Sequence, residues 1–373
     1  MLGMSTSLFS PLQLGDIALD NRVVMAPLTR NRASNPGRVP VPLMADYYRQ
    51  RANPATGAGL LITEASQISP MAQGYLDTPG IHSQEQIAGW RQVTEAVHAE
   101  GGKIVIQLWH VGRISHSSLL PGGAAPVSAS AKPAQSKTYI SGGFADVSAP
   151  RALATEEIAG VVADYAQAAR NAVAAGFDGV EIHAANGYLI EQFLRDSVND
   201  RTDAYGGTIA NRVRLLHEVV QAVTGAIGAG RTGIRLSPIS PANDIGQDSD
   251  AQALFNHVAQ VLAPFKLAYV HVVEGATGGP RDLTAQGVAP FDYAAMRAAL
   301  GGTPWMLNNG YDRALALETV ASGAADAVAF GKPFIANPDL GRRLREGAAW
   351  NALDVKTLYG GGAAGYTDYP TLA

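Results

Sequence analysis

Gly179–Ala185 reads GVEIHAA, a short apolar run that is followed at once by the polar sequence NGY. The segment before it, Thr155–Ala175, has apolar residues at helical spacing, opens with acidic residues and stops at Gly176. We interpret these segments as a buried strand and the helix that leads into it. A chain that repeats this alternation is expected to form a parallel sheet.

The same pattern recurs along the whole chain. The apolar runs are nearly continuous, as in parallel strands that are covered on both faces. The other seven runs are Arg22–Pro27, Gly59–Ala65, Lys103–Trp109, Thr232–Pro238, Ala268–Glu274, Pro304–Gly310 and Ala327–Pro333. Further helical segments are Ser83–Glu100, Asn211–Ile227, Asp250–Ala263, Tyr293–Leu300 and Arg313–Ser322. Eight strands with helices between them predict an α/β fold, a single-domain (β/α)8 TIM barrel over residues 1–373.

One connection is much longer than the others. Residues 110–154, after the third strand, are rich in Gly, Pro and Ser. Loops of this length are uncommon unless they are functional. We expect a lid or capping insertion on the active-site face; the alternative is a solvated excursion.

Composition excludes several classes of protein. The 373 residues include no cysteine, so disulfides and thiolate metal sites are ruled out. A net charge of -4 argues against nucleic acid as a partner. No apolar run reaches the ~18 residues of a membrane helix, and Met1–Gly15 does not resemble a signal peptide. We therefore expect a cytoplasmic protein. Composition does not distinguish a monomer from a homodimer.

The carboxyl ends of barrel strands carry the chemistry. In this chain they offer hydrogen-bonding side chains but no pair of catalytic carboxylates. Glu181 and His183 share one face of a strand, yet two ligands are a weak metal signal, and we expect no metal. Asn309-Gly310 and Gly331-Lys332 follow the last two strands and resemble a phosphate site, although glycines there could simply permit tight turns.

Two polar residues stand in otherwise apolar strands. Gln107 and Arg235 each lie near a strand end. A buried arginine requires a partner, which is either an internal carboxylate or an anionic ligand. A flavin fits the second alternative, because its reduced form carries negative charge.

Three potential hydrogen-bond or proton donors lie at the end of the fourth strand and just after it. His183 and Asn186 can both donate hydrogen bonds into one pocket, and Tyr188 can supply a proton. Two donors on a substrate oxygen with an acid nearby would polarise an unsaturated carbonyl. Taken singly, these residues could instead be a structural histidine, a turn asparagine and a packing tyrosine.

Several long motifs resemble those of the Old Yellow Enzyme family, in the same order and over nearly the whole chain. They are MAPLTRNRA (Met25–Ala33), AQGYLDTPGI (Ala72–Ile81), QLWHVGRISH (Gln107–His116), HAANGYLIEQFLRDSVNDRTDAYGGTIANR (His183–Arg212), FGKPFIANPDL (Phe330–Leu340) and YGGGAAGYTDYP (Tyr359–Pro370). The bacterial branch of nitrate-ester and N-ethylmaleimide reductases is the most similar in character.

The resemblance implies a tightly bound, non-covalent FMN and a role for each matching residue. Residues implied to contact the flavin are Pro27, Leu28, Thr29, Ala65, Gln107, His183 and Arg235. Residues implied to hold its phosphate are Asn309, Gly310, Gly331 and Lys332, where many relatives have Arg in place of the Lys. His183 and Asn186 would bind the substrate oxygen, and Tyr188 would be the proton donor. Tyr75, Trp109 and Tyr366 resemble pocket-wall residues.

The activity implied is ene-reduction. NADPH or NADH would supply hydride, and the substrates would be α,β-unsaturated carbonyls, maleimides and nitroalkenes, with denitration of nitrate esters a further expectation. Two rival hypotheses remain. One is a barrel lyase that binds a phosphorylated substrate and uses Lys266 or Lys332 as its amine; the other is a flavin-binding barrel without catalysis.

Overall fold

The structure, a computed structural model, describes residues 6–373. Eight parallel strands pair in chain order, and the circle is closed by pairing between the last strand and the first. The barrel strands are β1 Val23–Met25, β2 Leu60–Ile62, β3 Ile104–Trp109, β4 Gly179–Ala184, β5 Thr232–Leu236, β6 Tyr269–Val273, β7 Trp305–Asn308 and β8 Ala327–Phe330. The predicted TIM barrel is confirmed.

Eleven α-helices surround the barrel or cap its ends. They are α1 Pro42–Arg49, α2 Gln84–Ala99, α3 Thr155–Ala174, α4 Leu189–Leu194, α5 Ile209–Arg212, α6 Arg214–Ile227, α7 Ala251–Leu262, α8 Tyr293–Ala299, α9 Arg313–Ala321, α10 Lys332–Ala336 and α11 Leu340–Glu346 among the described residues. The six helices expected from sequence are all present. The others are short and interrupted by proline or polar residues, so their apolar periodicity is weak.

The strands are shorter than their apolar runs because the carboxyl-end residues leave the hydrogen-bonded ladder. Residues such as Thr29, Asn186 and Asn309 therefore stand in the loops at one rim of the barrel.

The opposite rim is closed by a hairpin. Leu12–Leu14 pairs antiparallel with Ile17–Leu19, and its leucines and isoleucine pack against side chains of the barrel interior, including Val105 and Tyr269. Apolar packing at the amino end leaves the carboxyl rim as the open end.

The long connection after β3 contains its own short strands. Lys137–Ile140 and Gly143–Asp146 form an antiparallel hairpin, while Val127–Ser128 pairs with Arg151–Ala152. Ala134 and Val147 of this insertion pack against an aromatic cluster at the carboxyl rim.

Within residues 6–373, no helix combines the length and the apolar character that crossing a membrane requires.

Candidate active site

A cavity of about 600 Å³ opens at the carboxyl rim of the barrel. It is lined by loops that follow β1, β4, β6, β7 and β8, together with a segment near the carboxyl terminus. The residues predicted from sequence that line it are Pro27, Leu28, Thr29, Asn186, Arg235, Asn309, Gly310, Gly331 and Lys332.

A second group of predicted residues forms an aromatic wall beside the cavity. Ala65, Trp109 and Tyr188 belong to one buried cluster, against which Tyr75 packs. The Tyr188 ring meets those of Trp109 and His183 edge-on, with 4.9 Å between centroids in each case. Tyr75 stacks on Trp109 at 5.8 Å. The structure therefore brings the candidate acid and the candidate oxygen-binding histidine together.

A buried polar layer lies in the barrel interior. Gln107 Nε2 donates to Glu181 Oε1 at 2.8 Å, and His271 Nδ1 lies 2.9 Å from Glu181 Oε2. Burial lowers the pKa of His271 although the Glu181 charge opposes that shift. A neutral His271 donates from Nδ1. In the part of the chain that the structure describes, no hydrogen bond engages the side-chain carbonyl oxygen of Gln107, so it can accept from another partner.

Arg235 lies on the cavity wall and is only partly satisfied. Its Nη2 donates to Asn308 Oδ1 at 2.7 Å, but its buried Nε has no hydrogen-bond partner among the described residues. Burial lowers the pKa of Arg235, against the raising effect of Glu181. A guanidinium on the cavity wall suits an anionic or hydrogen-bond-accepting ligand.

His183 is held as a neutral donor. Its Nδ1 accepts from the Ala185 N–H at 3.3 Å, which places the remaining ring proton on Nε2. Burial, followed by the charge of Arg235, lowers the pKa of His183 well below its ordinary value. His183 can thus donate one hydrogen bond at neutral pH without carrying charge.

The end of the cavity that is predicted to bind phosphate combines glycines with the side chain of Lys332. Gly278, Gly310 and Gly331 line it together with Lys332. The Lys332 Nζ would lie 4.0 Å from a Cβ added to Gly278. Backbone N–H groups that no side chain covers, together with the ammonium group of a flexible lysine, can bind a phosphate group.

Asn309 organises this end of the cavity. Its Nδ2 donates to the carbonyls of Glu274 and Ala276 at 2.7 and 2.8 Å, and its Oδ1 accepts from the Gly278 N–H at 3.1 Å. The side chain thus shapes the loop after β6.

Tyr366, which was predicted to lie on the pocket wall, is not among the residues that line the cavity. It is fully buried, stacks on Tyr47 at 4.0 Å and lies beneath the guanidinium of Arg32 at 4.1 Å. It therefore packs away from the cavity. The pocket tyrosine of the C-terminal motif is Tyr359, which lines the cavity and is 61% exposed. Motif resemblance could not separate two tyrosines seven positions apart.

Sequence reasoning also missed Asn308 and Thr277, which both line the cavity. Asn308 stands beside Asn309 in a polar strand end, so a signal was present. Thr277 lies in a loop without a motif. Lys266, the amine of the rival lyase hypothesis, precedes β6 and is exposed near the amino rim, which argues against that role.

Residues 7–351 match the model of the NADH:flavin oxidoreductase / NADH oxidase family. The chain belongs to this family, the Old Yellow Enzyme family.

Three relatives illustrate the similarity. 12-Oxophytodienoate reductase 7 of Oryza sativa subsp. japonica is 46% identical, covering 98% of this chain and 94% of the relative. Chanoclavine-I aldehyde reductase of Penicillium roqueforti is 48% identical, covering 98% and 96%. The solved structure of morphinone reductase is 45% identical, covers 100% and 98%, and has a TM-score of 0.90.

Membership of the Old Yellow Enzyme family makes this protein a flavin oxidoreductase of the ene-reductase type. The family prediction is confirmed. The narrower resemblance to nitrate-ester and N-ethylmaleimide reductases stays a prediction, since the three relatives carry other names.

Proposed function

We propose that this protein is an FMN-dependent ene-reductase that takes hydride from NADPH or NADH and reduces the C=C bond of α,β-unsaturated carbonyls, maleimides and nitroalkenes. The observation that carries the proposal is the grouping of three donors at the carboxyl end of β4 and on the turn that follows it. His183 and Tyr188 are in edge-on ring contact at 4.9 Å, and Asn186 lines the adjoining cavity.

The residues at the cavity fit FMN. Arg235 offers a guanidinium on the cavity wall, which would meet the pyrimidine edge of the flavin, where reduction places negative charge. Gln107 retains a carbonyl oxygen that can accept from the imide N–H. Pro27, Leu28 and Thr29 would contact the ring system, and small Ala65 would leave room beside it.

The phosphate would lie at the other end of the cavity. Gly310 and Gly331 permit close approach of backbone to phosphate oxygens, and Lys332 adds a positive charge. Asn309 would act by holding the surrounding loop.

Bound FMN would supply the hydride that goes to the β-carbon of the alkene. Nε2–H of His183 and Nδ2–H of Asn186 would donate to the activating oxygen and draw electron density from the double bond. The Tyr188 hydroxyl would protonate the α-carbon. Trp109 and Tyr75 would form the wall beside Tyr188, and Tyr359 would limit the cavity entrance. Denitration of nitrate esters would use the same binding site without the proton from Tyr188.

We also propose that residues 110–154 cap the substrate end of the cavity. The support is packing: Ala134 and Val147 contact the cluster that contains Trp109 and Tyr188. Leu76 donates its N–H to the Tyr139 carbonyl at 2.8 Å, which ties the insertion to the loop that carries Tyr75.

An absorbance spectrum tests the proposal. The purified protein is expected to show a flavin spectrum that bleaches on anaerobic addition of NADPH and recovers when cyclohex-2-en-1-one is added. Parallel reactions with NADH identify the preferred donor. A protein that is colourless and does not take up FMN contradicts the cofactor assignment, whereas bleaching without recovery contradicts ene-reduction alone.

A further inference from the structure

We propose that Thr277 is a positioning residue that fixes the amide of Asn186 so that its NH2 group, rather than its carbonyl, faces the substrate. This inference rests on the proposed function, because it concerns how Asn186 recognises the activating oxygen. Thr277 lies in the loop after β6, and both residues line the cavity.

The backbone of Asn186 is held in place by two neighbours. Its N–H donates to Ser237 Oγ at 2.8 Å, and its carbonyl accepts from Asn243 Nδ2 at 2.8 Å. The residue has a φ of 59°, a left-handed conformation that asparagine tolerates. The position of the side chain is therefore set by the turn, but its amide orientation is not.

Thr277 decides that orientation. Its Oγ1 lies 2.6 Å from Asn186 Oδ1. An amide oxygen can only accept, so the threonine hydroxyl must be the donor in this contact. Within residues 6–373, the N–H, carbonyl and Oδ1 of Asn186 are all engaged, and its Nδ2 is the polar group still available to a ligand.

The hydroxyl of Ser240 determines which groups donate and which accept in this series of hydrogen bonds. The Thr277 N–H donates to Ser240 Oγ at 3.1 Å, and the two hydroxyl oxygens lie 3.0 Å apart. Ser240 is fully buried. Among the described residues, Thr277 Oγ1 is the acceptor within reach of the buried Ser240 hydroxyl, so Ser240 donates to Thr277. The Thr277 proton then remains for Asn186 Oδ1. Protons thus run from Ser240 to Thr277 to Asn186 Oδ1.

The consequence is selectivity for hydrogen-bond acceptors. A fixed NH2 group favours the carbonyl or nitro oxygen of an activated alkene and disfavours an alcohol that must donate. Without the Thr277 hydroxyl, the amide can rotate and present its own oxygen, which would repel the substrate oxygen.

The test is a double-mutant cycle on the FMN-loaded protein. Oxidised protein is titrated with cyclohex-2-en-1-one, and the Kd is read from the flavin absorbance. Thr277→Val removes the hydroxyl at nearly constant shape, Thr277→Ser retains it as the matched control, and both are also made in an Asn186→Ala background. FMN content and Tm report on structural damage.

We expect Thr277→Val to raise the Kd about three- to tenfold, in line with one neutral hydrogen bond. Thr277→Ser should stay within about twofold of the parent, and FMN content and Tm should not change. The effect of Thr277→Val should disappear in the Asn186→Ala background.

Two results overturn the inference on its own: a Thr277→Val protein with the parental Kd, or one whose loss persists in full when Asn186 is already alanine. If Asn186→Ala alone leaves both the Kd and the turnover of the enone unchanged, the role of Asn186 in the proposed function falls, and this inference falls with it.

Discussion

The phenol oxygens of Tyr75 and Tyr188 lie 3.1 Å apart, within hydrogen-bonding distance. Tyr75 comes from the loop after β2 and Tyr188 from the turn after β4. Burial raises the pKa of Tyr188, while hydrogen bonding to Tyr75 acts in the opposite direction. When Tyr75 donates, it stabilises the phenolate that Tyr188 would become after giving up its proton.

This contact predicts a graded response to removing the two hydroxyls. Tyr188→Phe should slow reoxidation by an enone about 10²–10⁴-fold, the usual contribution of a general acid. Tyr75→Phe should slow it only about tenfold, the effect of one hydrogen bond to a developing charge. Stopped-flow measurement of each half-reaction provides the check, with reduction by NADPH spared in both variants. An equal loss in both half-reactions would contradict the assigned roles.

Lys332 is predicted to bind phosphate. Lys332→Ala should weaken FMN binding about 10–100-fold, since a charge-assisted hydrogen bond is lost, and Lys332→Arg should restore it. Quenching of flavin fluorescence on titration of flavin-free protein measures the Kd. Lys266→Ala, at the other rim of the barrel, is the control and should bind normally. Riboflavin has no phosphate, so if Lys332→Ala weakens its binding equally, Lys332 acts in another way.

Glu181 is predicted to stabilise the barrel interior. Glu181→Leu leaves the neutral Gln107 and His271 donors buried without their acceptor. At about 1–3 kcal/mol for each donor, this should cost about 2–6 kcal/mol of unfolding free energy. Glu181→Gln keeps one acceptor oxygen and should cost roughly 1–2 kcal/mol. Urea denaturation measures both, and exposed Glu318→Gln should change stability by less than about 0.5 kcal/mol. A leucine variant as stable as the glutamine variant would show that the buried contacts contribute little.

The raised pKa of Glu64 predicts that the stability of the protein depends on pH. Burial raises the pKa of Glu64 from 4.5 to about 7, against the opposing charges of Arg30 and Arg32. Folding therefore takes up a proton between these pH values, and the Glu64 contribution to stability falls as pH rises through this window. The full change is roughly 3 kcal/mol.

Denaturation of the parent and Glu64→Gln at pH 5, 6, 7 and 8 tests this sign. The difference in stability between the two should shift in favour of the glutamine variant as pH rises, and then level off above about pH 7. Exposed Glu156→Gln is the matched control. A constant difference across the series would mean that Glu64 stays ionised in the folded protein.

Local sequence was sufficient for the architecture. The run at Gly179–Ala185 was expected as a buried strand, and the structure has Gly179–Ala184. A strand that is buried on both faces has a continuous run of apolar residues. Eight such strands, separated by helices, are the number that forms a closed barrel. The donors at the carboxyl end of β4 and just after it were found for the same reason, because the carboxyl ends of parallel strands lie at one rim.

Residue roles that depend on contacts across the barrel were beyond sequence reasoning. Tyr366 and Tyr359 lie in one motif, yet the first packs on Tyr47 and the second lines the cavity. Thr277 contacts Asn186 from 91 positions away, and nothing in its neighbourhood of sequence marks it.

The sequence by itself determined the barrel, its open rim and the chemical types of side chain available there, because strand periodicity and strand ends are local properties. Only the tertiary structure decided which nitrogen of His183 carries the proton and which end of the Asn186 amide faces the cavity. These depend on hydrogen-bond partners supplied by other strands and loops, and in a buried site each donor or acceptor takes the orientation that its neighbours leave open.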